Sequence, residues 1–375
     1  MDKIKRRQTI PVKVGGVTIG GGAPVTVQSM TNTGSGDYGA TLDQINRLCE
    51  AGADLVRVAV PDRGAADTLG RLAVKSPLPL IADIHFDVKL AFLALDNGAS
   101  KIRINPGNIG GRDKLTELAR KAREYKVPLR IGVNAGSLEK SLFKKHGGAT
   151  AAALVESALG YLQTMEDIGF GDLVFSLKAS DVYTTISAYR LFSKAKAYPL
   201  HLGVTGAGPP STGSIKGAVG IGALLADGIG DTIRVSLTAS PSEEIITGRR
   251  ILQSLGLRAF APDLISCPTC GRCEVELVPL VTEVEKMLET YDMPVKVAVM
   301  GCAVNGPGEA READIGISAG KKRGILFRQG RVIRTVQQSL LLEALKEELD
   351  LLAARRGKLG RGRKGCGDSG NNTCL

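Results

Sequence analysis

P-L-I-A-D-I (Pro79–Ile84), K-I-R-I-N (Lys101–Asn105) and P-L-R-I-G-V-N (Pro128–Asn134) are three short apolar runs, and helical periodicity fills Asp113–Tyr125 between the last two. Short buried runs separated by helices read as parallel strands, because each helix carries the chain back to the same end of a sheet. The unit recurs on both sides. V-T-V-Q-S-M (Val25–Met30) and D-L-V-R-V-A-V (Asp54–Val60) precede it. D-L-V-F-S-L-K (Asp172–Lys178), P-L-H-L-G-V-T (Pro199–Thr205) and D-T-I-R-V-S-L (Asp231–Leu237) follow. Helical stretches at Leu42–Ala51, Thr150–Ile168 and Ile215–Leu225 lie between them, and breakers such as A-G-A-D and G-I-G-D introduce several strands. Eight alternations predict an α/β domain, a TIM-type (β/α)8 barrel over residues 1–255.

Pro241–Leu255 reads as the last helix of that domain and Gly256–Pro262 as a linker. Residues 263–354 read as a smaller α+β module. It has a C-P-T-C turn, a helix over Glu274–Tyr291, strands at Val295–Gly301 and Asp314–Ser318, a hairpin Gly324–Val336 turning at Gln329–Gly330, and a closing helix Leu340–Ala354. Residues 355–375 read as a disordered basic tail, with Arg355, Arg356, Lys358, Arg361, Arg363 and Lys364 against one acid, Asp368.

Composition narrows the function. Net charge is +11, but much of the excess sits in that tail, and aromatics are only 4% with no Trp. Base-stacking platforms for nucleic acid are therefore not expected. No apolar run reaches the roughly 18–20 residues of a membrane span. The basic start, Met1–Arg7, leads into Q-T-I-P-V-K-V without an apolar signal core, so a cytoplasmic protein is expected. Seven cysteines in a reducing compartment fit metal chemistry better than disulfides. Cys366 and Cys374, in the tail, are read as non-ligands.

The strands carry a second pattern. Arg57, Arg103, Arg130 and Arg234 each stand mid-strand as V-R-V, I-R-I, L-R-I and I-R-V, and Lys178 takes a like place on the sixth strand. A charge there cannot face the helix layer without a large desolvation cost, so period two turns it into the lumen. Five converging cations repel one another unless they meet a multiply charged anion, and arginine forks suit phosphate oxygens. A small diphosphate is the expected ligand. Polar groups gather at the C-terminal strand ends, where such barrels build active sites: Asp83, His85, Asn105, Asn134, Ser176, Thr205 and Ser236. Asp83 and His85 share a face and form a candidate acid–base pair.

Near the C-terminus, I-S-C-P-T-C-G-R-C places Cys267, Cys270 and Cys273, and M-G-C-A-V-N-G-P-G-E places Cys302 and Glu309. The turn-dense Asn305–Gly308 lets Glu309 fold back toward Cys302. Three thiolates and a carboxylate suit an iron–sulfur cluster with one replaceable ligand better than a closed zinc site. Spacing alone also leaves open a four-thiolate zinc site of Cys267, Cys270, Cys273 and Cys302, or buried thiols with no metal.

With these residues in view, the chain resembles the 4-hydroxy-3-methylbut-2-enyl diphosphate synthase family of the methylerythritol phosphate route to isoprenoids. The likeness is carried by V-Q-S-M-T-N-T (Val27–Thr33), A-D-I-H-F, I-R-I-N-P-G-N, R-I-G-V-N-A-G-S-L, S-L-K-A-S-D, R-V-S-L-T, C-P-T-C and G-C-x-V-N-G-P-G-E. It covers nearly the whole chain except the tail. The resemblance implies a barrel plus a domain holding a [4Fe–4S] cluster on Cys267, Cys270, Cys302 and Glu309, with Cys273 a bystander. It also implies reductive ring opening of 2-C-methyl-D-erythritol 2,4-cyclodiphosphate. Arg57, Arg103, Asn105, Arg130, Asn134, Lys178, Arg234 and Ser236 would bind the substrate. Asp83, His85, Thr205 and Glu309 would serve the reacting end, and ferredoxin or flavodoxin would supply electrons. A head-to-tail homodimer is implied too, and the short linker limits how far one domain can swing over its own barrel. One departure stands out: the family commonly reads V-T-E-A-G after the seventh strand, and here Gly206 takes the place of the glutamate. Gly34 and Gly36 also replace more polar residues usual in the first loop.

Two other classes fit parts of the pattern. Lys178 on the sixth strand matches a Schiff-base aldolase carrying a structural zinc domain. A basic zinc module for nucleic acid is the third reading.

Overall fold

The computed structural model describes residues 4–302 and 310–355. Two compact units divide at Arg258 and Ala259. The first opens with a short antiparallel hairpin, β1 (Val12–Val14) and β2 (Val17–Ile19). Eight strands follow in one sheet: β3 (Thr26–Met30), β4 (Leu55–Ala59), β5 (Leu80–Ile84), β6 (Lys101–Ile104), β7 (Leu129–Asn134), β8 (Leu173–Lys178), β9 (His201–Leu202) and β10 (Thr232–Ile233). Each pairs in parallel with the next from β3 to β8, and β10 pairs with both β3 and β9. The ring is nearly closed by the Phe175–Leu200 bridge, where the Phe175 N–H donates to the Pro199 carbonyl at 2.9 Å.

Helices run between the strands: α1 (Tyr38–Glu50), α2 (Arg63–Lys75), α3 (Val88–Asp96), α4 (Arg112–Glu124), α5 (Lys140–His146), α6 (Ala151–Asp167), α7 (Val182–Ala195), α8 (Pro210–Ala226) and α9 (Pro241–Ser254). Aspartates start several of them. Asp37, Asp62, Asp87 and Asp181 each cap a helix by accepting a backbone N–H of its first turn. Their apolar faces pack on the sheet: Leu115, Leu118, Ala119 and Ala122 are the buried side of α4, whose other face is charged. Each such leucine buried contributes about 1.5–3 kcal/mol.

The β1–β2 hairpin was not expected from the sequence, since each strand has only three residues. Its buried Val12, Val14 and Ile19 cluster with Leu55, Ile81 and Val174 from the starts of three barrel strands. That cluster plugs the lumen at its N-terminal end and leaves the C-terminal end for polar groups. A second departure is the length of β9 and β10, two residues each where seven were expected. At Gly203 the backbone runs so close to its neighbours that an added Cβ would lie 2.5 Å from Lys178 Nζ and 2.7 Å from the Arg234 carbonyl. The chain leaves the regular ladder there to make room.

The second unit is a five-stranded sheet in the order β11 (Asp263–Ser266), β12 (Lys296–Met300), β13 (Ile315–Ser318), β14 (Arg323–Arg328), β15 (Arg331–Gln337). The first three strands are parallel, the last two antiparallel. Helices α10 (Leu277–Leu288) and α11 (Leu341–Arg355) contribute to its core, where Val284, Leu288, Leu345 and Leu349 join Val297, Val299, Ile315 and Ile317. Strand β11 was also missed, because D-L-I-S is too short to signal by itself. The basic tail beyond Arg355, with Cys366 and Cys374, lies outside the described residues. No helix among those described is long and apolar enough to cross a membrane.

Candidate functional site

On β4 the neighbours Val56 and Val58 are buried, and the alternating geometry of the strand puts Arg57 on the opposite face. The same parity brings Met30, Asp83, Arg103, Arg130 and Lys178 to the lumen. Asp83 sits at the centre. Its carboxylate accepts from Arg103 Nη1 at 3.0 Å, lies 3.7 Å from Arg57 Nε, and is 3.1 Å from His85 Nε2. His85 Nε2 also lies 3.2 Å from Arg103 Nη1, so the three side chains form one triangle. Arg57 is further held by Met30 Sδ, 2.9 Å from Nη2.

Two glycines shape this layer. A Cβ on Gly132 would lie 3.2 Å from Arg103 Nε, and one on Gly203 would strike Lys178 Nζ. Both positions are bare so that long cationic side chains can cross the lumen.

The charges do not balance. Among the described residues, Arg57, Arg103, Arg130, Lys178 and Arg234 face only Asp83 and Glu244 as carboxylate partners. Burial pushes Arg57 down to about 10, with Asp83 opposing and Arg234 and Arg103 reinforcing the shift. Burial and then the neighbouring cations lower Arg130 and Lys178 well below their ordinary values. For Asp83, burial works to raise the pKa, but Arg57, the hydrogen bond from His85, Arg103 and Arg130 together outweigh it and hold the carboxyl ionised. At an effective dielectric of about 20, two like charges about 6 Å apart repel by roughly 3 kcal/mol. An anion entering this lumen relieves several such pairs at once.

Glu244 was not anticipated. It comes from the first turns of α9, is only 4% exposed, and grips Arg234 at 3.2 Å. The same carboxylate accepts from Ser29 Oγ at 3.1 Å and from the Leu237 N–H at 3.1 Å. Nor was the layer beneath. Lys101, His201, Gln28 and Thr232 are fully buried, and Lys101 Nζ, both ring nitrogens of His201, the Gln28 amide and Thr232 Oγ1 have no hydrogen-bond partner among the described protein atoms. Period two foretells two of them: Lys101 stands two before Arg103 and His201 two before Gly203. Burial and then nearby cations push both Lys101 and His201 well below their usual pKa.

Around the mouth, Asn105 donates to Ser137 Oγ at 2.5 Å, and Asn134 ends β7 half-buried. Ser176 is buried, Ser236 half-buried and Thr205 exposed. Gly206 has φ +64°, and nothing lies within 4 Å of where its Cβ would stand.

The thiols belong to the second unit. Cys267 directly follows β11 and Cys302 follows β12, so the two leave the same end of neighbouring parallel strands. The Gly301 N–H donates to Cys267 Sγ at 3.2 Å. Cys270 is exposed on the turn after β11, and the Cys273 N–H donates back to its carbonyl at 2.9 Å. Cys273 lies beside Gly301. Its Sγ donates to the Val275 carbonyl at 3.2 Å and packs against the core. All four thiols are free, and Glu309 lies outside the described residues. Among those described, no three His, Cys, Asp or Glu side chains converge closely enough to hold one metal ion. The donor types are compatible with an iron–sulfur cluster, which takes soft thiolates around a cube of metal and sulfur, with N–H donors to the sulfurs. Cys267, Cys270 and Cys302, with Gly301, offer that chemistry.

Comparison with known proteins settles the lineage. The model of the GcpE TIM-barrel domain matches residues 9–249, and that of the GcpE protein C-terminal domain matches residues 263–351. This chain belongs to the GcpE family. A Geobacter sulfurreducens protein named 4-hydroxy-3-methylbut-2-en-1-yl diphosphate synthase (flavodoxin) is 54% identical over 94% of this chain and 99% of its own length. Relatives with the same name from Anoxybacillus flavithermus and Bacillus subtilis are both 51% identical, over 96% and 93% of this chain and 98% and 92% of their own. Among solved structures, Yersinia pestis dihydropteroate synthase matches at TM-score 0.48 and 12% identity, covering 66% of this chain and 100% of that one. With the chain in the GcpE family, the aldolase reading is not favoured.

Proposed function

We propose that this GcpE chain reduces 2-C-methyl-D-erythritol 2,4-cyclodiphosphate to 4-hydroxy-3-methylbut-2-enyl diphosphate, an iron–sulfur oxidoreductase step in isoprenoid precursor synthesis. The observation that carries the reading is the lumen of unbalanced cations around Asp83. Arg57, Arg103, Arg130, Lys178 and Arg234 hold the diphosphate, and Asn105, Asn134 and Ser236 orient it at the mouth. Asp83 keeps Arg57 and Arg103 in place, and it presents His85 where a proton can be exchanged with the substrate. Thr205 lines the same end.

The residues of the second unit fit a [4Fe–4S] cluster on Cys267, Cys270, Cys302 and Glu309. Such a cluster supplies electrons one at a time to a bound oxygen substituent. In balance, one cyclodiphosphate takes two electrons and two protons and gives one allylic diphosphate and one water. The names of the relatives support flavodoxin as donor, and ferredoxin can serve the same step. The protein works in the cytoplasm as a head-to-tail homodimer. Exposed Phe86, Phe143, Tyr183 and Ile215, all after the C-terminal ends of barrel strands, offer an apolar rim for a second copy. The barrel unit is the substrate domain and the second unit the cluster domain.

The test is anaerobic purification followed by iron analysis and turnover of the cyclodiphosphate. Iron-containing protein that turns over, with Arg130→Ala losing substrate affinity by about 10–100-fold, is the expected result. Protein with stoichiometric zinc and no iron would refute the cluster.

A further inference from the structure

From Ile315 to Leu342 the chain carries Lys321, Lys322, Arg323, Arg328, Arg331 and Arg334 and no acid. Two of these are neutralised within the unit: Arg328 pairs with Glu348 and Arg334 with Glu347, each at 2.6 Å. Lys321, Lys322 and Arg323 are exposed on the turn from β13 into β14.

That turn is fastened to the cysteine segments. Ser318 Oγ donates to the Cys302 carbonyl at 2.6 Å, and the Ala319 N–H to the Met300 carbonyl at 2.8 Å. The Lys321 N–H donates to Glu274 Oε2 at 3.2 Å, and the Glu274 N–H to the Gly301 carbonyl at 3.0 Å. Glu274 brings one negative charge to this turn, against the three cations Lys321, Lys322 and Arg323. Arg272, exposed between Cys270 and Cys273, adds a fourth cation at the same end of the sheet. Arg331 stands at the other end, since it pairs with Arg328 at the tip of the β14–β15 hairpin.

We propose that Arg272, Lys321, Lys322 and Arg323 form the docking rim for an acidic one-electron carrier protein, which delivers its electron at the cysteine end of this unit. The inference rests on the cluster reading given above and extends it to the partner's surface. Cations without a carboxylate partner among the described residues, beside the thiols, steer an acidic carrier to the cysteine end of the unit. Steering of this kind raises association rates by about 10–10³-fold and weakens with salt. Each encounter oxidises one carrier flavin from hydroquinone to semiquinone, and two encounters supply the two electrons of one turnover.

The experiment uses the iron-loaded, full-length enzyme with purified flavodoxin as probe. Binding is measured by titration calorimetry at low and high salt, and turnover is driven either by reduced flavodoxin or by dithionite. Lys321→Glu with Lys322→Glu should weaken flavodoxin binding by about 10–100-fold and lower flavodoxin-driven turnover alike. Iron content and dithionite-driven turnover should stay unchanged, and Arg331→Glu should alter neither reaction. The milder Lys321→Gln, Lys322→Gln pair should move binding in the same direction and guards against misfolding. Unchanged binding, or an equal effect of Arg331→Glu, would overturn the proposal. So would loss of dithionite-driven turnover with iron retained, which would give the turn to the substrate or to a second copy. A wild-type protein without iron would refute the cluster reading itself, a result distinct from any of these.

Discussion

Asp83 holds two buried arginines and a histidine with one carboxylate, so its removal strands both Arg57 and Arg103. Asp83→Asn should lower stability by about 3–5 kcal/mol. Inorganic pyrophosphate should raise the melting temperature of the variant more than that of the wild type, because the anion returns the missing countercharge. Equal shifts in a thermal melt would count against that role. Lys101 presents the opposite case, a buried amine with no partner among the described atoms. Lys101→Met should stabilise the fold by about 1–3 kcal/mol in urea unfolding. The sign of its pH dependence follows from the lowered pKa. Below about 10.5 the unfolded chain binds a proton that the folded chain refuses, so stability rises with pH toward that value. The variant should show a flatter slope on the alkaline side, and an unchanged slope would mean that Lys101 is protonated in the fold. Gly206 offers a third test. Its φ of +64° makes any side chain cost about 1–2 kcal/mol, yet the space around it is open. Gly206→Glu should therefore fold and raise kcat with little change in substrate affinity, since the cations are untouched. Gly206→Ala serves as the strain control, and a Glu variant no faster than Ala would show that another group already delivers the proton.

Strands β11 and β12 do for the thiols what the barrel strands do for the arginines: their parallel pairing delivers Cys267 and Cys302 to one end. The Cys273 Sγ already donates to the Val275 carbonyl. Cys302→Ser should abolish iron binding, whereas Cys273→Ser should keep it, as read by iron content and the visible spectrum under argon. Iron loss in both would make Cys273 a ligand. How legible the elements were follows from their length. Helix α4 and strand β7 announce themselves through six or more residues of unbroken period. The β14–β15 turn did so through Gln329 and Gly330, whose φ values of 48° and 76° suit a tight hairpin. The three-residue strands β1 and β2 and the four-residue β11 are fixed by what they pair with, and nothing local marks them.

For the whole molecule, the head-to-tail dimer proposed above makes activity a property of the dimer. An Arg130→Ala chain mixed with a Cys302→Ser chain should recover part of the activity that each lacks alone, because one composite site stays intact. Isolated heterodimers without activity would sink the head-to-tail arrangement. The amino-acid sequence by itself determined the barrel, the two-part organisation, the inward-facing arginines and the cysteine spacing. Each of these follows from local rules: period two on strands, period 3.6 on helices, and the cost of burying charge. The tertiary structure alone decided the rest. It brought Glu244 from α9 to Arg234, seated Lys101 and His201 beneath the cations, and closed the barrel floor with a hairpin. It also turned the Cys273 thiol to the Val275 carbonyl. These depend on which surfaces meet across the fold, and a residue's chain neighbours carry no record of what packs against it from a distant element.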